Sequence, residues 1–186
     1  MDDAAIIATD GPGSAERRES VLDAALGTFA RFGYRKTSMD DIAADAQISR
    51  PGLYFLFSSK SALFRAATER AIQLDLAAAE RALDVPDRPL AERLVDAFDS
   101  WAGRYIGPLA DVQSLVEDNP DLLGPAARSA SDRFHRMLLD ALVDDPAQSQ
   151  AIAQTLVSVS IGIKHQVADR QEYLTRMRAA VALVLA

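Results

Sequence analysis

Apolar residues recur three and four positions apart along most of this chain of 186 residues, and no stretch alternates apolar and polar positions as a half-buried strand does. Glycine or proline interrupts the pattern at several points, such as Gly33, Pro86 and Pro108. The pattern predicts an all-α fold, with helices at about residues 15–32, 38–46, 49–57, 60–83, 90–106, 111–116, 125–143, 146–167 and 171–185.

The segment 37–60 contains two short predicted helices joined by a tight turn, followed by the start of a third helix. Ser38 with Asp41 three residues later is typical of a capping box, and Ser49 before Pro51 is typical of a second helix start. Helices this short bury little by themselves, so the polar and basic residues of the second one need another explanation. The segment predicts a helix-turn-helix whose second helix enters the DNA major groove, although a plain helical hairpin has the same caps.

Residues 16–70 resemble the DNA-binding domain of TetR-family transcriptional regulators. The resemblance rests on a helix that ends in FARFGYRKTSM, the helix DDIAADA, the turn Gln47-Ile48-Ser49 and the stretch RPGLYFLFSSKSALF. Its most specific element is the LYxxF pattern followed by Lys60 and the apolar pair Leu63-Phe64. The resemblance implies an all-helical dimer that represses its targets until a small molecule binds the C-terminal domain.

Carried over position by position, the resemblance implies two kinds of DNA contact. Thr37 and Ser38 would touch phosphate, while Tyr54 and Lys60 would hold the DNA backbone. Arg50 can pair bidentately with a guanine and would read base edges together with its neighbours in the same helix. The complete implied set is Thr37, Ser38, Ser49, Arg50, Pro51, Gly52, Tyr54, Leu56 and Lys60.

The chain departs from the family in the turn, where Gln47 occupies a position that is usually glycine. If the backbone is left-handed there, a residue with a Cβ costs on the order of 1 kcal/mol. This departure leaves the fine docking geometry open. The residues also name neither the effector nor the operator, and they do not distinguish repression from activation.

The formal net charge of −7 is distributed unevenly along the chain. Residues 16–70 hold nine Lys or Arg against seven Asp or Glu, a net charge of +2, whereas residues 71–186 carry −6 and residues 1–15 carry −3. The basic part coincides with the predicted helix-turn-helix. Its small excess predicts modest non-specific affinity for DNA and a need for two copies acting together.

Other classes of protein find little support in the composition. The chain has no cysteine, which excludes disulfides and thiolate metal sites, and its two histidines, His135 and His165, lie on separate predicted helices, so we expect no metal or cofactor. No apolar run reaches the roughly 18–20 residues that span a membrane and no signal-peptide pattern is present, so we expect a cytoplasmic protein. The sequence contains no phosphate loop, no HExxH motif and no serine–histidine–aspartate context, so we do not expect an enzyme.

Aromatic residues cluster on the predicted helices of the C-terminal part. Aromatic rings with a polar tip and a pliable methionine suit an apolar or aromatic ligand, although such a stripe is also typical of a plain core. A histidine near the end of an apolar helix would supply a polar contact. The predicted effector pocket comprises Phe98, Trp101, Tyr105, Phe134, Met137 and His165.

The last two predicted helices carry more apolar residues than surface helices need. Their spacing predicts a seam that joins two helices from each of two chains in a four-helix bundle across a two-fold axis. The alternative is that both helices pack on the body of one chain. The predicted dimer interface comprises Ile152, Leu156, Val159, Ile163, Met177 and Val181.

These patterns together predict a flexible arm at residues 1–15, a helix-turn-helix domain at residues 16–62, and a helical effector-binding and dimerisation domain at residues 63–186. The predicted function is a homodimeric regulator of transcription that binds a palindromic operator in double-stranded DNA and responds to a small molecule. The resemblance implies that it is a repressor. The alternative is a helical protein-interaction module that no longer binds DNA.

Overall fold

A computed structural model describes residues 12–106, 120–142 and 145–186. These residues contain no strand, which confirms the predicted all-α fold, and a 3₁₀ turn, Gly103–Tyr105, follows the fifth helix. Their helices are α1 Pro12–Phe32, α2 Met39–Asp45, α3 Arg50–Leu56, α4 Lys60–Leu83, α5 Leu90–Trp101, α6 Pro120–Ala141, α7 Pro146–Lys164 and α8 Arg170–Val184.

The described chain divides after Ala67 into two compact units. The first unit contains α1, α2, α3 and the beginning of α4, and the second contains the rest of α4 and the remaining helices. The division falls a few residues beyond the predicted boundary at residue 62, inside a helix that continues without a break. Within the described ranges, no helix is both long and apolar enough to cross a membrane.

Some helix ends differ from the prediction. α1 begins at Pro12, so residues 12–15 are helical rather than part of the predicted arm, because proline fits the first turn of a helix, where its missing N–H has no partner. α5 ends at Trp101 instead of residue 106, because the chain tightens there into the 3₁₀ turn. The rest of the arm and the predicted helix at residues 111–116 lie outside the described residues.

Aromatic rings form the centre of the first unit. Phe29 of α1 and Phe64 of α4 meet edge to face with ring centroids 5.1 Å apart, and Tyr34 lies 5.0 Å from Phe64. Ile42 of α2 and Leu53 of α3 are fully buried in the same unit. Helices of seven residues are marginal alone, so this packing is what holds α2 and α3 in place.

The core of the second unit surrounds Tyr173 of α8, whose side chain is fully buried. Its hydroxyl lies 2.7 Å from Ser160 Oγ of α7, and burial raises the pKa of Tyr173 to about 12. A Cβ added at Gly103 would lie 3.1 Å from the Tyr173 ring, so a glycine is needed for the 3₁₀ turn to approach α8 this closely.

Most of the residues predicted for the dimer interface are buried within their own chain. Helix α8 packs against α5 and α7 of its own chain, so the apolar seam is covered from within. Ile152 and Val159 are half-buried and pack against the same core. The alternative, in which these side chains pack on the body of one chain, therefore holds for the four residues that this core buries: Leu156, Ile163, Met177 and Val181.

Candidate nucleic-acid interface and internal cavity

The predicted capping box is present at the start of α2. Ser38 Oγ accepts a hydrogen bond from the Asp41 backbone N–H at 3.1 Å, and the Asp41 carboxylate accepts one from the Ser38 N–H at 2.8 Å. The hydrogen bonds from Ser38 also hold the pKa of Asp41 below its usual range. The Ser38 side chain is exposed, but its hydroxyl is already used to fix where α2 begins.

A second cap fixes the start of α3. Ser49 Oγ accepts a hydrogen bond from the Gly52 N–H at 3.1 Å, and Pro51 stands in the first turn. A Cβ added at Gly52 would lie 3.1 Å from the same Ser49 oxygen. The absence of a Cβ at Gly52 therefore leaves room for the capping hydrogen bond to Ser49. This is a structural role in addition to the DNA contact that the resemblance implies.

The turn between α2 and α3 contains a residue in the left-handed region. Gln47 has φ 54°, so its backbone is left-handed and its side chain lowers stability there. Gln47 is exposed, and the backbone of the turn is held by the bond from the Ile48 N–H to the Ala43 carbonyl at 3.0 Å. The Cβ of Gln47 therefore strains the turn.

Replacing Gln47 by glycine is expected to raise the free energy of unfolding by about 0.5–1 kcal/mol. The gain stays below the full strain because glycine also gives the unfolded chain more freedom. Urea unfolding followed by circular dichroism measures it. The control is Gln47→Ala, which keeps the Cβ and should gain nothing. An equal gain in both variants would show that the Cβ is not the source of the strain.

Helix α3 has one buried face and one exposed face. Leu53 is fully buried and Leu56 is half-buried, whereas Phe55 is 85% exposed. The helical period turns Phe55 farther outward than Leu56, and the contact of Leu56 with base edges stays a prediction. The outward face of α3 carries Arg50, Pro51, Tyr54 and Phe55.

The Arg50 guanidinium is held by two neighbours within the unit. Its Nη1 lies 2.9 Å from Asp40 Oδ2, and its Cζ lies 5.7 Å from the centre of the Tyr54 ring. The side chains of Arg50 and Asp40 are 61% and 57% exposed, and ion pairs this exposed contribute at most about 1 kcal/mol. Arg50 can therefore leave Asp40 for an acceptor that engages both arms of the guanidinium.

Thr37 and Lys60 both make hydrogen bonds within the unit, and the burial of Thr37 corrects the prediction that it touches phosphate. Thr37 is 2% exposed, and its hydroxyl donates to the Gly33 carbonyl at 2.9 Å, so the side chain does not reach a phosphate. Lys60 Nζ donates to the Tyr34 and Thr37 carbonyls at 2.9 and 3.0 Å. It also lies 4.5 Å from the centre of the Tyr34 ring. Lys60 thus ties the start of α4 to the turn that precedes α2.

The second unit contains a cavity of about 540 Å³ with a largely apolar wall. Trp101 stacks on Phe134 with ring centroids 5.0 Å apart, and Phe98 meets Phe134 edge to face at 5.2 Å. Met137 does not line the cavity and packs against the core instead. Five of the six residues predicted for a pocket lie in its wall: Phe98, Trp101, Tyr105, Phe134 and His165.

Asp75 of α4 also lines the cavity, and it is the one charged residue that is buried among those described. Its carboxylate accepts hydrogen bonds from the Arg104 guanidinium and the Tyr105 hydroxyl. Burial raises the pKa of Asp75 to about 6, because lost hydration outweighs the stabilisation by Tyr105 and Arg104. The sequence patterns did not single out Asp75, although its spacing of four from buried Ala71 and Ala79 places it on the inner face of α4.

Both histidines line the cavity of the second unit. His135 lies in the cavity wall, where its Nε2 is 3.2 Å from Gln150 Nε2, and exposed His165 lies just after α7. In the described parts of the chain, no three His, Cys, Asp or Glu side chains are grouped as a metal site requires.

Known proteins resemble this chain most clearly over its first unit. Residues 21–67 match the family described as bacterial regulatory proteins, tetR family. The chain is 29% identical over 108 residues to the HTH-type transcriptional repressor ComR of Escherichia coli, which is 58% of this chain and 51% of that protein. It is 36% identical over 85 residues to the HTH-type transcriptional activator FasR of Mycolicibacterium smegmatis, 45% of this chain and 39% of that protein. The chain thus spans about half, or less, of the length of these relatives.

The likeness in fold extends over most of the chain. A solved structure of a tetR-family transcriptional regulator from Mesorhizobium loti has a TM-score of 0.73 and 20% sequence identity, covering 94% of this chain and 98% of that one. At this identity the likeness shows the fold alone. The family match, by contrast, spans α2, α3 and the capped turns between them, which is the candidate interface described above.

Proposed function

We propose that this chain, whose residues 21–67 place it in the tetR family of bacterial regulatory proteins, regulates transcription as a homodimer bound to double-stranded DNA. Helix α3 lies in the major groove in this proposal. A small molecule in the cavity of the second unit changes the affinity for DNA. The DNA-bound protein represses the target gene.

The outward face of α3 is the observation that carries this proposal. Leu53 is buried and holds the helix from behind, while the residues in front of it are exposed. Arg50 offers the planar pair of donors that matches a guanine edge. Tyr54 is 44% exposed, and its hydroxyl offers a hydrogen-bond donor for a phosphate oxygen. A helix of this shape and chemistry suits a major groove.

We propose that a second copy of the chain takes part, because helix-turn-helix proteins read DNA in pairs. Two-fold helix-turn-helix dimers contact half-sites about 34–36 Å apart. Because the predicted seam is buried, we place the contact between chains on the outward faces of α7 and α8. Leu183 of α8 is 80% exposed, and the outward face of α7 offers small residues, among them the exposed Ser158, that permit close approach.

Helix α4 supplies the link between ligand and DNA in this proposal. One unbroken helix carries Lys60, which holds two carbonyls before α2, and Asp75, which lines the cavity. A ligand that shifts α4 therefore moves the attachment of α2 and α3. Couplings of this kind are typically about 1–3 kcal/mol, which changes operator affinity by about 5- to 150-fold.

Arg50→Ala tests the proposed function on a duplex that the full chain selects from a randomised pool. Affinity for this duplex is expected to fall by about 5- to 150-fold, because a lost bidentate base contact is worth about 1–3 kcal/mol. Affinity for random DNA should fall much less. Fluorescence anisotropy with labelled duplexes measures both, and sedimentation of the complex should show two chains on each duplex.

Arg50→Lys is the matched control, since it keeps the charge and loses the planar fork. It should keep the affinity for random DNA and lose most of the preference for the selected duplex. Equal losses on both duplexes in Arg50→Ala would contradict base reading by this residue. A chain that prefers no duplex would contradict the proposed function and favour the protein-interaction alternative.

A further inference from the structure

Phe55 is the most exposed large apolar residue in the described part of the chain, at 85%. Its position is fixed by its neighbours in α3. Successive helical residues are rotated by about 100°, so Phe55 points about 200° away from Leu53, two positions earlier. Leu53 and Phe57 are both buried and prevent α3 from rolling to cover the ring. The packing of Leu53 and Phe57 therefore keeps the Phe55 ring in solvent.

The chemistry of this side chain limits what it can recognise. A phenyl ring has no hydrogen-bond donor or acceptor, so it reads neither a phosphate nor the polar edge of a base. The major groove presents one apolar group, the 5-methyl group of thymine. Helix α3 carries Arg50 and no carboxylate of its own, and Arg50 can leave the exposed Asp40 of α2 for a polyanion, so this face favours a polyanion over a cationic partner.

We propose that Phe55 selects thymine within each half-site of the operator, by packing its ring against the 5-methyl group in the major groove. This inference rests on the proposed function, because it assigns α3 to that groove. Phe55 takes the place that the sequence alone assigned to Leu56. Together with Arg50 it makes the preferred half-site one that contains both a guanine and a thymine.

Deoxyuridine separates the methyl group from every other feature of the base. The full chain is measured on a duplex that it selects from a randomised pool, and on the same duplex with deoxyuridine in place of each thymine. Burial of one methyl-sized group is worth about 0.8 kcal/mol, so affinity is expected to fall about fourfold for each half-site. Phe55→Ala is expected to bind the thymine and deoxyuridine duplexes equally.

Phe32→Ala is the matched control. Phe32 is an exposed phenylalanine at the end of α1 in the same unit, 51% exposed, and this variant should keep the wild-type ratio between the two duplexes. Because Phe55 and Phe32 are both exposed, circular dichroism should show that both variants fold.

Three results would overturn the proposal while leaving the proposed function intact. The first is a selected duplex that is bound equally with thymine and with deoxyuridine. The second is a Phe55→Ala variant that keeps the wild-type ratio, which would assign the methyl contact to another residue. The third is a Phe55→Ala variant whose mass in solution differs from the wild type, which would place the ring at a contact between chains. Failure to prefer any duplex would instead reject the proposed function itself.

Discussion

Replacing Phe134 by alanine is expected to lower the free energy of unfolding of the second unit by about 3–5 kcal/mol. Phe134 is 2% exposed and lies between Trp101, which stacks on it, and Phe98, which meets it edge to face. Its removal therefore takes away both aromatic contacts and leaves a void that joins the cavity. The ligand response should weaken for the same reason, because the cavity loses part of its wall.

Trp101 makes this experiment specific to the second unit. It is the only tryptophan in the chain, so its fluorescence during urea unfolding follows that unit. The control is Leu74→Ala in α4, where the side chain is 46% exposed and the change should stay within about 0.5 kcal/mol. A loss below about 1 kcal/mol for Phe134→Ala would show that the ring does not fill a packed core.

The stability of the chain is expected to depend on pH through Asp75. Burial raises the folded pKa of Asp75 from 3.8 to about 6, so the native state binds a proton more tightly than the unfolded state. The contribution of Asp75 to stability is therefore greatest below about pH 4 and declines as the pH rises through about 6. At 1.36 kcal/mol per pKa unit, the decline is about 3 kcal/mol.

Asp75→Asn removes this titration and serves as the comparison. Between pH 4 and 7 the wild type should lose about 2.4 kcal/mol relative to the variant, measured as the difference between their urea unfolding curves at each pH. Asp41, whose pKa is lowered, changes stability in the opposite direction but is common to both proteins. A difference that stays constant over this range would contradict the burial of a carboxylate at Asp75.

Helix ends with local signals could be predicted from the sequence, and ends set by distant contacts could not. The predicted helix at residues 60–83 is observed at Lys60–Leu83, since Ser59 caps its start, accepting from the Ala62 N–H at 3.1 Å, and Pro86 follows its end. The end of α5 depends instead on the approach of Gly103 to Tyr173. The sequence near residue 103 contains no pattern that predicts the contact with Tyr173.

The same distinction separates the parts of the candidate site. The caps at Ser38 and Ser49 involve neighbours in sequence and are visible in it. Lys60 donates to carbonyls more than twenty residues earlier, so its role inside the unit is visible only in three dimensions. Leu56 and Phe55 are both apolar and adjacent in a helix of seven residues, which is too short for periodicity alone to show which of them faces outward.

If Arg50 reads DNA as proposed, its pairing with Asp40 has a consequence for how quickly the protein finds its target. On random DNA a phosphate offers Arg50 little more than the carboxylate it already holds 2.9 Å away. Most encounters should therefore end quickly, with Arg50 returning to Asp40, and the dwell time on unrelated sequence stays short. In the proposed function, a guanine that engages both arms of the Arg50 guanidinium outcompetes Asp40, so this carboxylate would act as a filter during the search.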